Sequence, residues 1–235
     1  SLPTLKEGYT LDLDSWALLH EDGHQQGVEI GYTKRGLKPC HRPLMAALAE
    51  AKMIANYQLR SGNSACVNGA AEFLRTTVAQ LPSHIRLGLL RADGGFGHPS
   101  FLEAAEELAL PYIVVARLTQ PIQSLCRHQD QHWQKSELEG FEVQEVLSET
   151  VGRRLILIRQ RITERPQAGG KLLLETPGYR FQALWTNQPE SVPPLLVWRR
   201  YNGRADIENR IKELGEHIAT LVIVEHSRDR AVRHA

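Results

Sequence analysis

The sequence has few of the features that place a protein in a membrane or outside the cell. Its three cysteines, Cys40, Cys66 and Cys126, are scattered and include no CxxC pair, so neither a zinc site nor a disulfide framework is indicated. No apolar run approaches the length of a membrane span, and the N-terminus lacks the charged and apolar regions of a signal peptide. These absences predict a cytoplasmic protein with reduced thiols and no membrane partner.

An excess of charge of either sign is also absent. The 28 Lys and Arg residues nearly balance the 27 Asp and Glu residues, which leaves a net charge of +1. No global basic field therefore indicates nucleic acid, and any polyanion would have to be held by local patches. The length of 235 residues is enough to bury a core, in one domain or in one domain with an insertion. The chain opens on Ser1 without a Met, which is consistent with a piece of a longer protein.

Hydrophobic periodicity predicts an α/β arrangement in the first half of the chain. A strand followed by a helix and another strand implies parallel pairing of the two strands. The predicted strands are Tyr9–Leu19, Leu44–Ala51, Met53–Leu59, Ile85–Asp93 and Pro111–Arg117, and the predicted helices are Asn68–Leu81 and Pro99–Leu108.

The pattern changes between about residues 118 and 187. Three strand-like runs, 141–147, 154–160 and 179–186, are separated by turns rich in Gly and Pro, which predicts an antiparallel β insertion. Arginines make this segment locally basic: Arg153, Arg154, Arg159, Arg161, Arg165 and Arg180.

Acidic residues stand in unusual places on two of the predicted strands. Asp12 and Asp14 alternate with leucines, so both point to the face opposite the leucines. Asp is a poor strand residue, so the pair needs solvent or a metal, and Asp14 is favoured as a ligand because it lies deeper in the apolar stretch. Asp93 ends a buried strand before a Gly-rich turn, which presents a carboxylate at the edge of an α/β sheet. The alternative for Asp93 is a turn or helix-capping residue.

The run Tyr201–Leu214 predicts a helix with a polar face, and that helix is expected to begin at about Leu196. Tyr201, Arg204 and Glu208 lie at positions i, i+3 and i+7, so they share one side of that helix. The carboxylate could complete a metal site with carboxylates from elsewhere in the fold, and the guanidinium could bind phosphate. The alternative is an ordinary solvated helix with charge pairs.

Residues 20–41 predict a loop with a short strand at about 27–32. Basic residues cluster in and after it, and they could meet a phosphate backbone or simply face solvent. The cluster consists of Lys34, Arg35, Lys38, His41 and Arg42.

Three segments in order resemble the motifs of DDE-type transposases from bacterial insertion sequences, of the cut-and-paste kind with a β insertion. Leu11–Ser15 resembles the first strand, which ends in Asp followed by a small hydroxyl residue, and Arg91–Phe96 resembles the second-Asp motif. Tyr201-x-x-Arg204-x-x-x-Glu208 resembles the Tyr-Arg-Glu signature. The resemblance covers roughly residues 9–214. It implies a ribonuclease H-like mixed sheet flanked by helices, with the insertion before the last catalytic helix.

The resemblance also implies the chemistry. Asp14, Asp93 and Glu208 would be catalytic and would hold two Mg²⁺ ions, or Mn²⁺ as a substitute, for in-line phosphoryl transfer. The partner would be double-stranded DNA at the element ends, bound by a homodimer, with basic residues of the insertion holding the terminal DNA. The expected DNA contacts are Tyr201, Arg204, Arg210, Lys212, Lys34 and Arg35.

Four parts are expected along the chain: a core segment at 1–117, the β insertion at 118–190, a core-completing helix at 191–216 and an atypical tail at 217–235. Two positions depart from the family pattern, since Trp16 stands where the family usually has Thr and Gly215 stands where a Lys often follows. The tail suggests a truncated element, a frameshifted end or an excised domain, and together with these departures it points toward decay. A catalytically decayed DNA-binding remnant, or another ribonuclease H-like nuclease, remains the alternative.

Overall fold

The computed structural model describes residues 2–20, 25–33, 35–127, 133–148, 153–162, 171–172 and 178–204. Within these ranges, no helix is long and apolar enough to cross a membrane. The strands are β1 Tyr9–Ser15, β2 Leu18–Leu19, β3 Glu29–Thr33, β4 Gly36–His41, β5 Leu44–Leu48, β6 Met53–Gln58, β7 Leu87–Ala92, β8 Tyr112–Val115, β9 Gln134–Lys135, β10 Phe141–Ser148, β11 Arg153–Arg161, β12 Lys171–Leu172 and β13 Tyr179–Thr186. The helices are α1 Ala70–Gln80, α2 Pro99–Glu107, α3 Gln120–Arg127 and α4 Pro194–Asn202.

One mixed sheet of ten strands dominates the fold. Its order is β6-β5-β1-β7-β8-β13-β11-β10-β9, and β12 pairs with β13 off this path. β1 lies antiparallel to β5 and parallel to β7, which in turn is parallel to β8. The predicted parallel pairing is confirmed, and the first strand and the second-Asp strand lie side by side as the resemblance implied.

The β-rich segment continues this sheet. β13 pairs antiparallel with β8, and the side chain of Asn187 closes the seam between them. Its Oδ1 accepts from the backbone N–H of Tyr112 at 2.8 Å, and its Nδ2 donates to the carbonyl of Leu110 at 2.8 Å. Thr186 Oγ1 donates to the carbonyl of Tyr112 at 2.7 Å. The expected division of the chain into core, insertion and completing helix stays a prediction.

Three arginines of this segment are committed to contacts inside the protein. Their exposed fractions are 8%, 2% and 8%, and each forms an ion pair with a glutamate. They therefore do not offer the basic surface that the sequence indicated for terminal DNA. The pairs are Arg153 with Glu106, Arg154 with Glu145 and Arg159 with Glu142.

The two faces of the sheet are covered by different elements. The odd-numbered side chains of β1, Leu11 and Leu13, join a core with Phe73 of α1 and Phe101 of α2. On the opposite face, α4 packs through Trp198 on strands that include β8, β10, β11 and β13. Because side chains alternate along a strand, the even-numbered Asp12 and Asp14 share the face on which α4 lies.

Two local expectations differ from the structure in part. The predicted strand Tyr9–Leu19 ends at Ser15, and Leu18–Leu19 pairs instead with β4 in a separate three-stranded sheet, β2-β4-β3. Trp16 lies at this break, with its ring 6.3 Å from that of Tyr57, so it has a packing role. The short strand predicted at about 27–32 is confirmed as β3, but the rest of the predicted loop contains a second strand, β4, which pairs with β3 in a hairpin.

The last helix, expected from about Leu196, is confirmed at its start, and its predicted continuation over 205–214 lies outside the described residues. The helix begins at Pro194, whose fixed φ suits the first helical position, and ends at Asn202, with a turn at Gly203–Arg204. Tyr201 is therefore in the last turn of α4 and Arg204 lies beyond it.

Candidate active site

Two of the predicted carboxylates come to the same edge of the sheet. Leu13 of β1 pairs with Ala92 of β7, and Asp14 and Asp93 are the residues that follow each of them. The carboxyl ends of neighbouring parallel strands form the crevice in which α/β proteins place their ligands. Both residues are partly buried, and the Asp14 side chain is 18% exposed.

The turn after β7 orients Asp93. Its Oδ1 accepts from the backbone N–H of Gly95 at 2.8 Å. A Cβ at Gly95 would lie 2.9 Å from that same oxygen and 2.8 Å from the Cβ of Cys66, so glycine is required for the close approach. The turn contact foreseen for Asp93 is present, and it holds the carboxylate at the edge of the sheet.

Arg204 connects the end of α4 to β1. It is 2% exposed, and its Nη2 donates to the carbonyl of Leu13 at 2.9 Å and lies 3.3 Å from Asp14 Oδ1. The same carboxylate oxygen accepts from the backbone N–H of Ser15 at 2.8 Å. The guanidinium expected to bind phosphate therefore contacts the first candidate ligand. Tyr201 is buried at 9% exposure and belongs to the core between α4 and the sheet.

The other predicted site residues lie at the β3–β4 turn or outside the described ranges. Arg35 is exposed at the β3–β4 turn. The predictions for Glu208, Arg210, Lys212 and Lys34 fall outside the described residues.

A buried ion pair next to the site was missed from the sequence. Asp12 is 0% exposed, and its two oxygens accept from Arg91 Nε at 2.7 Å and Arg91 Nη2 at 2.8 Å. Arg91 Nη1 also donates to the carbonyl of Arg200 in α4, at 2.7 Å. The interpretation of Asp12 as a residue needing solvent or a metal is wrong, because a guanidinium is its partner. Burial raises the pKa of Asp12, and the hydrogen bonds and charge of Arg91 oppose that shift.

A sequence signal for this pair existed. Arg91 stands in an apolar strand, where a charged residue is rarely buried without a partner. It lies two positions before Asp93, as Asp12 lies two positions before Asp14. In strands that spacing places each pair on one face. When two neighbouring parallel strands both carry this pattern, the first charged residues of the two pairs, Asp12 and Arg91, lie next to each other.

A sequence family described as transposase DDE domain group 1 matches residues 2–227. The chain belongs to this family. Among curated protein sequences, none matches the chain.

The fold of this DDE domain is similar to that of a piggyBac transposase in a cryo-EM structure of its synaptic complex with hairpin DNA. The TM-score is 0.51 at 12% sequence identity, over 87% of this chain and 40% of the piggyBac chain. The chain thus spans two fifths of that protein's length. At this identity the likeness concerns the fold, and it confirms the predicted ribonuclease H-like mixed sheet flanked by helices.

The carboxylates of the DDE domain offer the ligand atoms that a hard divalent cation requires, but the described residues include only two of the three expected carboxylates. Asp14 and Asp93 offer oxygen ligands at one edge, which are the ligands Mg²⁺ prefers. In the part of the chain that the structure describes, no three His, Cys, Asp or Glu residues lie close enough to hold a metal. The third expected ligand, Glu208, follows Arg204 by four positions and lies outside that part.

A cleft opens beside Asp93. It has a volume of about 620 Å³ and is lined by Gly94, Gly95, Val115 and Arg117 among others. Arg117 Nε donates to the carbonyl of Gly94 at 2.9 Å, which fixes a positive charge at the rim. The two glycines present backbone without side chains to whatever enters the cleft.

Proposed function

We propose that this DDE domain cleaves DNA strands at the ends of a mobile element and transfers them, as a metal-dependent polynucleotidyl transferase. The observation that carries the proposal is the placement of Asp14 and Asp93. They follow paired residues of two parallel strands, on the face of the sheet that α4 covers, and Glu208 comes six positions after the end of α4 in the sequence. The chain belongs to a family of transposase DDE domains, for which the resemblance implies three catalytic acidic residues, and this membership supports a catalytic role for the two carboxylates.

Asp14, Asp93 and Glu208 are the residues that would hold two Mg²⁺ ions. Bound there, such ions activate the attacking hydroxyl and stabilise the leaving oxygen of an in-line displacement. The protein's own groups keep the ligands oriented. The Gly95 N–H fixes Asp93, and the Ser15 N–H and Arg204 fix Asp14. In this proposal Arg204 also adds positive charge where a phosphate would arrive, and Tyr201 contacts the same DNA.

The substrate of the proposal is double-stranded DNA, bound by a homodimer. The similar piggyBac transposase is described in a synaptic complex with hairpin DNA, which supports DNA as the partner. The remaining expected DNA contacts, Arg210, Lys212, Lys34 and Arg35, form part of this proposal.

The test is metal binding and strand cleavage with matched variants. Calorimetric titration with Mn²⁺, in the absence and presence of duplex DNA, is compared for wild type, Asp93→Asn, Asp14→Asn and Glu208→Gln. The control is Glu107→Gln, because that exposed carboxylate pairs with Arg75 on the surface of the protein. We expect each of the three site variants to lose metal binding and Mg²⁺-dependent nicking of plasmid DNA, and the control to keep both.

Two results would contradict the proposal. Metal binding that survives in all three variants would place the ion elsewhere. DNA binding by the wild type without any metal binding or nicking would identify a decayed remnant that retains the fold.

A further inference from the structure

The β3–β4 hairpin, residues 29–41, presents an apolar face to solvent. Ile30, Tyr32 and Leu37 are 57%, 74% and 72% exposed. Tyr32 pairs with Leu37 and Ile30 pairs with the exposed Pro39, so these four side chains stand on one face of the ribbon. A contiguous exposed apolar surface of this kind marks a binding site more often than a scattered apolar residue does.

The opposite face of the ribbon is anchored backbone to backbone. A Cβ at Gly31 would lie 2.2 Å from the carbonyl oxygen of Gly62, and a Cβ at Gly62 would lie 2.0 Å from that of Cys40. Arg42 Nη2 also donates to the carbonyl of Tyr32. These contacts hold the apolar face outward in a preformed position, so a partner need not order the ribbon on binding.

Positive charge lies beside this apolar face: Arg35 is at the turn that follows β3, and Lys38 pairs with Gly31 and therefore stands on the opposite face of the ribbon. The described part of the ribbon contains the basic residues Arg35 and Lys38 and the acidic residue Glu29, and the basic Arg42 directly follows the ribbon. Arg35 and Lys38 are exposed. In a chain with a net charge of +1, this is a local basic patch, and it complements a polyanion better than it complements a second copy of itself.

The ribbon grows out of the edge that carries Asp14. β2 follows β1 after two residues and pairs with the end of β4. His41 forms an isolated bridge with Ser61, and the adjacent Arg60 Nη2 lies 3.3 Å from Ser15 Oγ. The ribbon therefore adjoins the edge of the sheet that carries Asp14.

We propose that the apolar face of the β3–β4 ribbon binds DNA next to the cleaved strand. Tyr32 and Leu37 pack on exposed base faces, and Arg35 and Lys38 contact the flanking phosphates. Aromatic and apolar side chains bind unstacked bases without regard to sequence, while basic residues bind the backbone. This proposal rests on the proposed function, since it names how the same substrate is held.

The test measures fluorescence anisotropy of a fluorescein-labelled duplex that carries an unpaired 3′ tail. The protein is the full chain with Asp93→Asn, in EDTA, so that cleavage cannot contribute. The double variant Tyr32→Ser with Leu37→Ser is compared with the control Met53→Ser with Leu59→Ser, which removes apolar side chains that are 51% and 45% exposed elsewhere. We expect the ribbon variant to bind roughly 10- to 100-fold more weakly and the control to bind as before.

A second pair of variants separates the roles of apolar and charged side chains. Arg35→Gln with Lys38→Gln should reduce the slope of log affinity against log salt by about two, because two phosphate contacts are lost. The Tyr32 and Leu37 variant should leave that slope unchanged.

Unchanged affinity of the Tyr32 and Leu37 variant, or no DNA binding by the parent protein, would overturn the proposal. So would light scattering that shows a dimer dissociated by this variant while its DNA affinity is retained, because the occupant would then be a second copy of the chain. Failure of the proposed function has a different signature: DNA binding through the ribbon would persist while the carboxylate variants leave metal binding and nicking unaltered.

Discussion

The buried pair of Asp12 and Arg91 ties together the three elements that lead to the candidate carboxylates. Asp12 lies on β1 two positions before Asp14, and Arg91 lies on β7 two positions before Asp93. Arg91 also bonds the Arg200 carbonyl near the end of α4. A shift of any one element would break a hydrogen bond to a buried charge. The pair therefore fixes the spacing between the strand ends and the start of the segment that contains Glu208.

Loss of one partner of this pair should be costly. We expect Arg91→Met to lower the free energy of unfolding by about 3–5 kcal/mol, because it leaves the Asp12 carboxylate buried without its counter-charge. The double variant Asp12→Leu with Arg91→Met should recover most of that loss, since both charges are gone. Urea denaturation followed by circular dichroism gives both values.

A surface pair provides the comparison for that experiment. Arg75 lies 2.6 Å from Glu107, but the two side chains are 41% and 60% exposed. We expect Arg75→Met to change the free energy of unfolding by less than about 1 kcal/mol, because solvent screens an exposed pair. Equal losses for Arg91→Met and Arg75→Met would show that burial of the Asp12 pair has no energetic weight.

Cys126 should make stability depend on pH in the alkaline range. Burial raises the pKa of its thiol from 9.0 to about 11. In the unfolded chain the thiol ionises first as pH rises, so the folded state loses up to about 2–3 kcal/mol between roughly pH 9 and pH 11. Urea denaturation at pH 7.5 and pH 10.5 should show a larger alkaline loss for wild type than for Cys126→Ala. Identical losses would rule the thiol out.

At the scale of elements, strands and helices of the sheet core were predictable because their apolar residues recur with a clear period. The strand at residues 141–147 and the helix at 99–108 appear as β10 and α2, with small shifts at their ends. The first strand was predicted too long. Leu18 and Leu19 continue the apolar pattern, but tertiary pairing with β4 removes them from the sheet.

The candidate site was predictable to the same degree. Asp14 and Asp93 come together because their motifs end neighbouring strands, and strand ends are legible in sequence. The contacts of Arg204 and Arg91 could not be predicted from the sequence, since both depend on how α4 crosses the sheet. Sequence periodicity gives the face of a helix but not the strand beneath it. The basic arginines of the β-rich segment misled for the same reason, because their glutamate partners lie on other strands or on α2.

The sheet that holds the β3–β4 ribbon should loosen in acid. His41 Nε2 donates to the Gln26 carbonyl at 3.0 Å, so its Nδ1 accepts from His20 Nε2 at 2.8 Å when both rings are neutral. Burial and the charge of His41 lower the pKa of His20 below 6.5. The unfolded state therefore takes up the proton first, and stability present above pH 6.5 is lost as pH falls below it.

Urea denaturation at pH 5.5 and pH 7.5 measures this effect. Wild type should lose more stability on acidification than His20→Gln does. The control His84→Gln changes an exposed histidine and should behave as wild type. An acid loss of the same size in all three proteins would assign it to other groups.

At the scale of the whole molecule, the continuous sheet determines how the chain unfolds. β8 is the last strand of the core segment before the β-rich segment begins. β13, which belongs to the β-rich segment, pairs directly with β8. Two units with separate cores can unfold separately, whereas strands that share a ladder of hydrogen bonds cannot part without exposing it. The core segment and the β-rich segment should therefore open together.

Hydrogen exchange measured by mass spectrometry in increasing urea tests this cooperativity. Peptides that cover β5 in the core and β11 in the β-rich segment should reach the same free energy of opening. Asn187→Ala removes the side chain that bonds both Tyr112 N and Leu110 O at the seam, so we expect both values to fall by the same amount, about 1–3 kcal/mol. A fall confined to the β11 peptide would mean that the β-rich segment unfolds on its own, and the shared sheet would then not couple the two parts.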